Sequence, residues 1–385
     1  MNKSVVALVR CSSYDIDQVQ DVINKGIELL GGISKFTQPN EKIVLKPNLL
    51  IGVNPEKCVN THPSVFSAVA RQFQQAGAVV SYGDSPGFGG CVLNARMAGF
   101  KHAADELGLI MADFDHGREI VHKTALLNKR FVLANGILDA DGVVSLPKLK
   151  THGFMRLTGA IKNQFGCIPG ILKGQFHAKI TDPFHFATML VDINTYIRPR
   201  LYIMDAITAM EGNGPRSGQP RQVNALLLSA DPIALDAIAC KIINLDPEFV
   251  PTSQPGEKSG LGTYHYDNIE LVGDNIDSFI VRYFQVTREP PEKVAGAGPV
   301  RRFIKNRTTA RPVIIRKNCT SCGTCIKMCP VGHTALEWKQ YKEEKQPRYN
   351  YSNCIRCFCC QEICPEGAII IKTPVLGRLI FHKSK

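Results

Sequence analysis

The sequence predicts an α/β fold, with a mainly parallel sheet flanked by helices, followed by a small α+β domain rich in cysteine. Over residues 1–288, short apolar runs alternate with segments of helical periodicity. This pattern is typical of strands joined by helices in a parallel sheet. Nine of the 14 cysteines then fall between Cys319 and Cys364, which marks a second unit of different chemistry.

Each element of the large domain has its own sequence signal. The predicted strands are short apolar runs: Val5–Val9, Ile43–Leu45, Ala78–Tyr82, Val143–Leu146, Leu201–Met204 and Ala225–Leu228. The predicted helices carry apolar residues at helical spacing or a proline in the first turn: Val19–Leu30, Pro63–Gln75 and Pro232–Asn244. Asp231 precedes the last of these and is predicted to be its N-cap.

Composition divides the rest of the chain into three parts. Residues 289–311 combine proline and glycine with basic residues, which indicates a linker. Residues 312–374 contain an internal repeat of strand, cysteine loop, short helix and strand. Residues 375–385 form an apolar, basic tail. For this tail, packing against the body competes with a weak peripheral membrane contact.

Overall composition excludes several protein classes. Apolar residues make up 44% and charged residues 21%, as in soluble globular proteins. No apolar run approaches the roughly 18 residues of a membrane span, and the first ten residues are interpreted as a strand rather than a signal peptide. The net charge of +12 favours an acidic partner or an anionic substrate over nucleic acid, because no nucleic-acid-binding motif accompanies it.

The two halves of the repeat share one cysteine spacing. The first run is Cys319-x2-Cys322-x2-Cys325-x3-Cys329-Pro330, and the second is Cys354-x2-Cys357-x2-Cys360-x3-Cys364-Pro365. This is the bacterial ferredoxin run, in which the fourth cysteine ligates the other cluster. The sequence therefore predicts two 4Fe-4S clusters with crossed ligands. The first takes Cys319, Cys322, Cys325 and Cys364. The second takes Cys354, Cys357, Cys360 and Cys329.

Two structural zinc sites are the alternative, since paired C-x2-C spacing also binds zinc. Zinc does not require three cysteines at this spacing plus a fourth before proline, twice over. Cys359 falls outside both runs and is expected to be a small buried residue. The segment resembles the two-cluster ferredoxin domain of bacteria. The resemblance implies a ferredoxin-like iron–sulfur domain and one-electron transfer at low potential. The low potential and the thiolate ligands in turn predict a reducing, cytoplasmic setting.

Polar residues follow the predicted strands of the large domain at their carboxyl ends. They are Lys46-Pro47-Asn48, Gly83-Asp84-Ser85, Pro147 to His152, Asp205 and Asp231. Ligands of open α/β sheets bind outside the carboxyl ends of strands. We therefore expect the five endings to converge on one site, although any one alone is an ordinary turn or cap.

The candidate site residues support two kinds of chemistry. Lysine and histidine bind carboxylate or phosphate, and a lysine with a depressed pKa acts as a base. The candidates are Lys46, Asn48, Asp84, Lys148, Lys150, His152 and Lys162. Carboxylates neutralise these charges or hold a hard cation such as Mg²⁺; they are Asp84, Asp205, Glu211 and Asp231. The alternative is that the lysines lie on the surface and the aspartates are caps.

Familiar nucleotide and hydrolase motifs are missing from the sequence. No G-x-G-x-x-G follows the first strand and no Walker lysine loop is present, so nucleotide binding has no direct support. The absence of G-x-S-x-G argues against an α/β-hydrolase. The glycine-rich segment Gly212–Gly218 is either a loop that lets backbone approach a ligand or a flexible surface loop.

A further set of motifs spans roughly residues 40 to 245. These motifs are Lys46-Pro47-Asn48, Gly83-Asp84-Ser85, Pro147-Lys148-Leu149-Lys150-Thr151-His152, Thr158 to Asn163, Met210-Glu211-Gly212-x-Gly214-Pro215 and Asp231-Pro232-x-Ala234-x-Asp236-Ala237. The series resembles that of the domain of unknown function 362 family. Members of that family often carry a fused ferredoxin segment, so the resemblance implies this fusion and a fold but no settled chemistry.

Two functions follow from these features. The first is an iron–sulfur oxidoreductase that moves electrons to or from a small anionic substrate held by the α/β domain. The second is a ferredoxin-like electron carrier or adaptor whose α/β domain docks a partner enzyme. Both need a redox partner protein. A deep pocket over the strand ends that opens towards a cluster favours the enzyme, whereas a large exposed apolar patch there favours the adaptor.

Overall fold

The computed structural model describes residues 3–292, 299–341 and 344–381. The strands are β1 (Ser4–Arg10), β2 (Lys42–Pro47), β3 (Val79–Tyr82), β4 (Ile110–Met111), β5 (Gly117–Val121), β6 (Arg130–Ala134), β7 (Gly142–Leu146), β8 (Lys148–His152), β9 (Arg156–Leu157), β10 (Leu201–Glu211), β11 (Gln219–Ser229), β12 (Ile269–Gly273), β13 (Arg311–Ile314), β14 (Leu336–Tyr341), β15 (Glu344–Tyr349) and β16 (Ile369–Lys372).

The α-helices connect and cover these strands. They are α1 (Ile16–Leu29), α2 (Pro63–Gln75), α3 (Cys91–Met97), α4 (Phe100–Glu106), α5 (Asn135–Leu138), α6 (Gly159–Asn163), α7 (Leu172–Lys179), α8 (Pro183–Ile197), α9 (Pro232–Ile242), α10 (Ser253–Lys258), α11 (Pro299–Thr308), α12 (Thr324–Lys327), α13 (Cys359–Ile363) and α14 (Val375–Phe381).

One large sheet organises the α/β domain. Its main path runs β12-β1-β11-β10-β7-β2-β3-β4, and β8 pairs with β10 and β9. The neighbours from β10 to β4 are parallel, whereas β11 is antiparallel to both β10 and β1. The sheet is therefore mixed and mostly parallel, which confirms the α/β class.

The strands are buried on both faces because helices cover both. In β2, Ile43 and Leu45 belong to a core cluster with Phe66 of α2, while Val44 belongs to a second cluster with Phe186 of α8. Successive side chains of a strand point to opposite faces, so a short continuous apolar run supplies both cores. This arrangement leaves the strand ends as the places where polar residues gather.

Two details of the predicted sheet are wrong. The strand predicted to end at Met204 continues to Glu211, because the carboxylate of Asp205 is paired inside the sheet instead of ending the strand. β11 runs antiparallel to β10, so its carboxyl end lies at the opposite edge from the ends of β2 and β3. Asp231 is therefore away from the expected site. It caps α9, accepting hydrogen bonds from Ile233 N at 2.8 Å and Ala234 N at 2.9 Å.

The cysteine-rich domain consists of two antiparallel strand pairs and two short helices. β13 pairs with β16 and β14 pairs with β15, while α12 and α13 follow the cysteine loops. The segment interpreted as a linker contains α11, and its residues 293–298 lie outside the described residues.

The predicted tail begins with α14, which packs against α11. A Cβ atom at Gly377 would lie 1.8 Å from Thr308 O, so glycine permits the approach of the two helices. Residues 382–385 lie outside the described part of the chain. Among the helices described, none combines the length and the apolar character needed to cross a membrane.

Candidate functional site

A cavity of about 660 Å³ lies at the carboxyl ends of β2 and β3, between the two domains. The polar side chains of the α/β domain on its wall are Asn48, Asp84, Ser85, Lys150, Thr158, Lys162, Asn163, Lys173, Gln175 and His177. The cysteine-rich domain closes the other side with Lys327, Met328, Cys329, Pro330, Cys359, Glu362 and Ile363. The cavity is thus shared between a strand-end site and the cysteine loops.

The endings of β2 and β3 are joined by a buried ion pair. Lys46 Nζ lies 2.8 Å from Asp84 Oδ1, and both side chains are almost fully buried. Burial raises the pKa of Asp84, and Lys46 opposes that shift. Asp84 Oδ2 also accepts a hydrogen bond from Leu49 N at 2.7 Å. A Cβ atom at Gly166 would lie 1.8 Å from Asp84 Oδ1, so glycine leaves room for this carboxylate.

Lys148 forms a separate buried pair away from the cavity wall. Its Nζ lies 2.6 Å from Asp205 Oδ2 and 2.9 Å from the hydroxyl of Tyr14. Burial lowers the pKa of Lys148, but the charge and hydrogen bond of Asp205, together with Tyr14 and Cys58, raise it above its usual value. Lys148 is therefore charged and paired with Asp205. It does not line the cavity, whereas Lys162 does.

Lys150 and Lys162 supply positive charge to the wall nearest the cysteine-rich domain. Lys150 is 1% exposed, and its ammonium donates to Val59 O at 2.6 Å. Among the described residues, no carboxylate lies at ion-pair distance from Lys150 Nζ. Burial holds the pKa of Lys150 well below its usual value, and the charge of Lys162 lowers it further. Such a lysine favours an anionic neighbour.

Lys173 is a wall residue that the sequence did not single out. Its ammonium donates to Ser85 Oγ at 2.6 Å and to Ile168 O at 2.9 Å. Burial lowers the pKa of Lys173 to about 8, although Asp84 opposes the shift. Lys173 lies in α7, which follows no predicted strand and carries no recognised motif, so neither periodicity nor spacing indicated it.

His152 lies behind the wall and contacts the cysteine-rich domain. Its Nδ1 accepts from the backbone N–H groups of Phe154 and Met155 at 3.1 and 3.3 Å, which leaves the proton on Nε2. That nitrogen lies 3.0 Å from Glu362 Oε1. Burial, and then the charge of Lys162, lower the pKa of His152 to about 4. The imidazole is therefore neutral at pH 7.

Three buried polar atoms on wall residues have neither a hydrogen-bond nor an ion-pair partner among the described residues. They are Asn48 Oδ1, Thr158 Oγ1 and His177 Nδ1. Each side chain is at least nine-tenths buried. Because buried polar atoms in proteins are almost always paired, a ligand or water in the cavity is expected to satisfy them.

The carboxylates considered for Mg²⁺ do not form one site. Asp84 and Asp205 are paired with lysines, Asp231 caps α9, and Glu211 accepts from Gln285 N at 2.9 Å. No group of three histidine, cysteine or acidic residues within the described ranges is close enough to hold a single metal ion. The structure therefore does not bring these four carboxylates together in one magnesium site.

The eight cysteines of the two runs surround two small cavities. The first is lined by Cys319, Cys322, Cys325 and Cys364. The second is lined by Cys329, Cys354, Cys357 and Cys360. The structure thus groups Cys364 with the first run and Cys329 with the second.

Each cavity gathers four thiols, three from one run and one from the other. This is the ligand set that a 4Fe-4S cluster takes in the bacterial ferredoxin run.

The two cysteine sets differ in their surroundings. Cys322 of the first set is exposed, whereas Cys357 and Cys360 of the second are buried. Arg356, which is 2% exposed, lies in the loop of the second set, and Lys305 Nζ donates to Cys354 O at 3.2 Å. Cys359 was expected to be a small buried residue. It is half-buried and lies on the wall of the large cavity.

The hairpin loop between β10 and β11 fixes the position of the cysteine-rich domain. Gln361 Nε2 lies 2.8 Å from Asn213 Oδ1 and 3.0 Å from Gly214 O. Asn213 Nδ2 donates to Ile369 O at 3.0 Å, and the guanidinium of Arg216 donates to Ile363 O. The glycine-rich segment is therefore an interdomain contact rather than a flexible loop.

These features define an α/β protein whose strand-end cavity is closed by a fused domain of the 4Fe-4S type. The chain belongs to the family described as "Domain of unknown function (DUF362)", whose model matches residues 43–241. A second model, "4Fe-4S dicluster domain", matches residues 311–365.

Two known proteins are similar to this chain over much of its length. The "Thylakoid-associated protein sll1697" of Synechocystis sp. (strain ATCC 27184 / PCC 6803 / Kazusa) is 38% identical over 257 residues, which are 66% of this chain and 79% of that protein. The solved lactate racemase apoprotein from Thermoanaerobacterium thermosaccharolyticum aligns with a TM-score of 0.40 and 11% identity. That alignment covers 62% of this chain and 56% of the racemase chain.

Proposed function

We propose that the protein holds two 4Fe-4S clusters and uses them to move electrons to or from a small anionic substrate in the large cavity. The first cluster takes Cys319, Cys322, Cys325 and Cys364. The second takes Cys354, Cys357, Cys360 and Cys329. The single observation that carries the proposal is the shared wall, on which Lys162 of the sheet domain and Cys329 of the second set line one cavity.

The different exposure of the two cysteine sets supports a path for electrons between the protein surface and the cavity. A redox partner protein exchanges electrons at the first cluster, because Cys322 is exposed. The second cluster exchanges them with the substrate, because Cys329 lies on the cavity wall. The lysines bind and orient the anion, and Asp84 holds Lys46 in place. Thiolate-ligated clusters fit a reducing compartment, so we propose a cytoplasmic location; the thylakoid association is a property named for the relative.

The test is anaerobic and uses the complete chain. Small molecules that copurify with the protein are identified by mass spectrometry, and each is added to the dithionite-reduced protein while cluster absorbance is followed by stopped flow. We expect at least one of them to reoxidise the clusters, and Lys162→Gln to slow that reaction while iron content stays the same. Lys179→Gln on the exposed side of α7 is the matched control.

One result would favour the electron carrier or adaptor instead. If no copurifying or added small anion reoxidises the reduced clusters, but a partner protein does so and competes for the surface around the cavity, the substrate proposal is wrong.

A further inference from the structure

The walls of the large cavity and the layer behind them carry more positive than negative charge. The buried or half-buried lysines are Lys46, Lys150, Lys162 and Lys173, and the acids are Asp84 and Glu362. Lys327 also lines the cavity, but it is exposed, so water compensates its charge. His152 and His177 add no charge near neutral pH, because burial lowers the pKa of each to about 4. Four cations against two anions leave an excess of two positive charges when the lysines are protonated.

The iron–sulfur centre nearest the cavity has cations of its own. Arg356 is buried in the loop between Cys354 and Cys357, and its Nη2 donates to Asn306 Oδ1 at 2.9 Å. Lys305 Nζ lies at the carbonyl of Cys354. Arg356 and Lys305 therefore lie beside the second cysteine set and compensate the negative charge of a cluster bound there. The lysine excess faces the cavity.

We infer that the ligand of this cavity is a dianion with an apolar body, either a dicarboxylate or a phosphate monoester. The inference rests on the proposed function, because it concerns the same site. Charges taken out of water are stable only when they are paired, and two negative charges complete the pairing. The apolar body follows from the wall residues Leu49, Leu50, Phe88, Ile171, Met328 and Ile363.

The excess charge comes from two different parts of the wall. Lys150 and Lys162 lie on β8 and α6, near Glu362 and the unpaired atoms Thr158 Oγ1 and His177 Nδ1. Lys173 lies on α7, bonded to Ser85. In the first part, Glu362 compensates only one of the two lysines. In the second part, Asp84 is already paired with Lys46, so the charge of Lys173 is left uncompensated. Two anionic groups on one ligand, rather than one, use both parts.

The size of the cavity agrees with this ligand. Pockets for organic ligands usually enclose about 300–1,000 Å³, and this one encloses about 660 Å³. A bare phosphate ion would leave most of that space and the apolar wall without contact. The pKa values of Lys150 and Lys173 lie below their ordinary range. These lysines therefore lose protons more easily when the cavity is empty, and a bound dianion would favour their protonated, charged forms.

The test compares matched probes on the iron-loaded protein by anaerobic calorimetry. Isophthalate and benzoate share a ring and differ by one carboxylate, phenyl phosphate replaces carboxylates by phosphate, and succinate keeps two carboxylates without the ring. We expect isophthalate or phenyl phosphate to bind at least about tenfold tighter than benzoate and succinate, and the tighter of the two identifies the anionic group. Lys162→Gln and Lys173→Gln should each reduce the preference for the dianion over benzoate, and Lys179→Gln should not.

Three results would overturn the inference. The first is equal affinity for isophthalate, phenyl phosphate and benzoate. The second is the absence of binding by all four probes. The third is a change in cluster reduction potential in Lys162→Gln and Lys173→Gln with unchanged probe affinity, which would show that the lysines serve the cluster. Tight dianion binding without reoxidation of reduced clusters by any anion would instead refute the proposed function and leave the inference standing.

Discussion

Glu362 Oε1 of the cysteine-rich domain lies 3.0 Å from His152 Nε2 of the sheet domain. Glu362 stands between two cysteines that line different small cavities, Cys360 and Cys364. His152 ends β8, which also carries Lys150. One contact therefore joins the cysteine loops to the strand that supplies a buried lysine to the large cavity. A substitution of Glu362 or His152 should therefore affect both domains.

Cluster content is the first prediction. Anaerobically prepared protein should contain about eight iron and eight acid-labile sulfide per chain when both sites are filled. Cys364→Ser should damage the first cluster, although Cys364 belongs to the second run, because it lines the cavity of Cys319, Cys322 and Cys325. Spectroscopy that resolves the two clusters checks this, with Cys240→Ser in the sheet domain as control. Loss of the second cluster alone would contradict the crossed ligands.

The reduction potential is the second prediction. Iron–sulfur clusters span roughly −700 to +450 mV, and the ferredoxin-type run predicts the low end for both clusters. Arg356→Gln removes a buried positive charge beside the second set, so it should lower the potential of the second cluster more than that of the first. A redox titration followed by electron paramagnetic resonance measures both. Clusters that stay reduced at clearly positive potential would be incompatible with this expectation.

The buried pair of Lys46 and Asp84 leads to a stability prediction. Lys46→Met should reduce the free energy of unfolding by about 3–5 kcal/mol, because it leaves the buried carboxylate uncompensated. The double change Lys46→Met with Asp84→Leu should recover part of the loss. Lys101→Met is the control, because the Lys101–Asp105 pair is exposed and such pairs contribute about 0.5 kcal/mol or less. Urea unfolding provides the measurement, and equal losses for both lysines would refute the argument.

The pH dependence of anion binding is the fourth prediction, and it rests on Lys173. The pKa of Lys173 is lowered to about 8, so its ammonium is present below that pH and is lost above it. The affinity for an anion should therefore be highest below about pH 8 and fall as the pH rises further. Lys173→Arg keeps the charge at every accessible pH and should remove this part of the dependence. Isophthalate titrations from pH 6 to about 10 test it; a profile that Lys173→Arg leaves unchanged would assign the effect to another group.

Convergence of strand ends predicts part of the candidate site, and the remaining residues differ from the prediction for physical reasons. Asn48, Asp84 and Lys162 lie on the cavity wall, because β2, β3 and β7 are parallel neighbours whose carboxyl ends meet at one edge. Lys148 points to Asp205 instead, and a sequence does not show which buried lysine has a carboxylate beside it. Lys173 comes from a helix without a motif.

The direction of β11 shows a second limit. An apolar run predicts a strand equally well in either direction, so the hairpin of β10 and β11 and the resulting displacement of Asp231 were not visible in the sequence. Cysteine spacing was more informative, because each run places three thiols on one loop regardless of the surrounding fold.

The interleaving of the cysteine sets bears on how the protein matures. The first small cavity takes three thiols from residues up to Cys325 and its fourth from Cys364, 39 residues further along the chain. During translation the ribosome therefore exposes an incomplete three-thiol loop before the closing ligand exists. Under the proposed function, the four-thiol ligand set of the first cluster is complete only after the second half of the repeat has emerged, so iron and sulfide delivered earlier would find three of its four ligands.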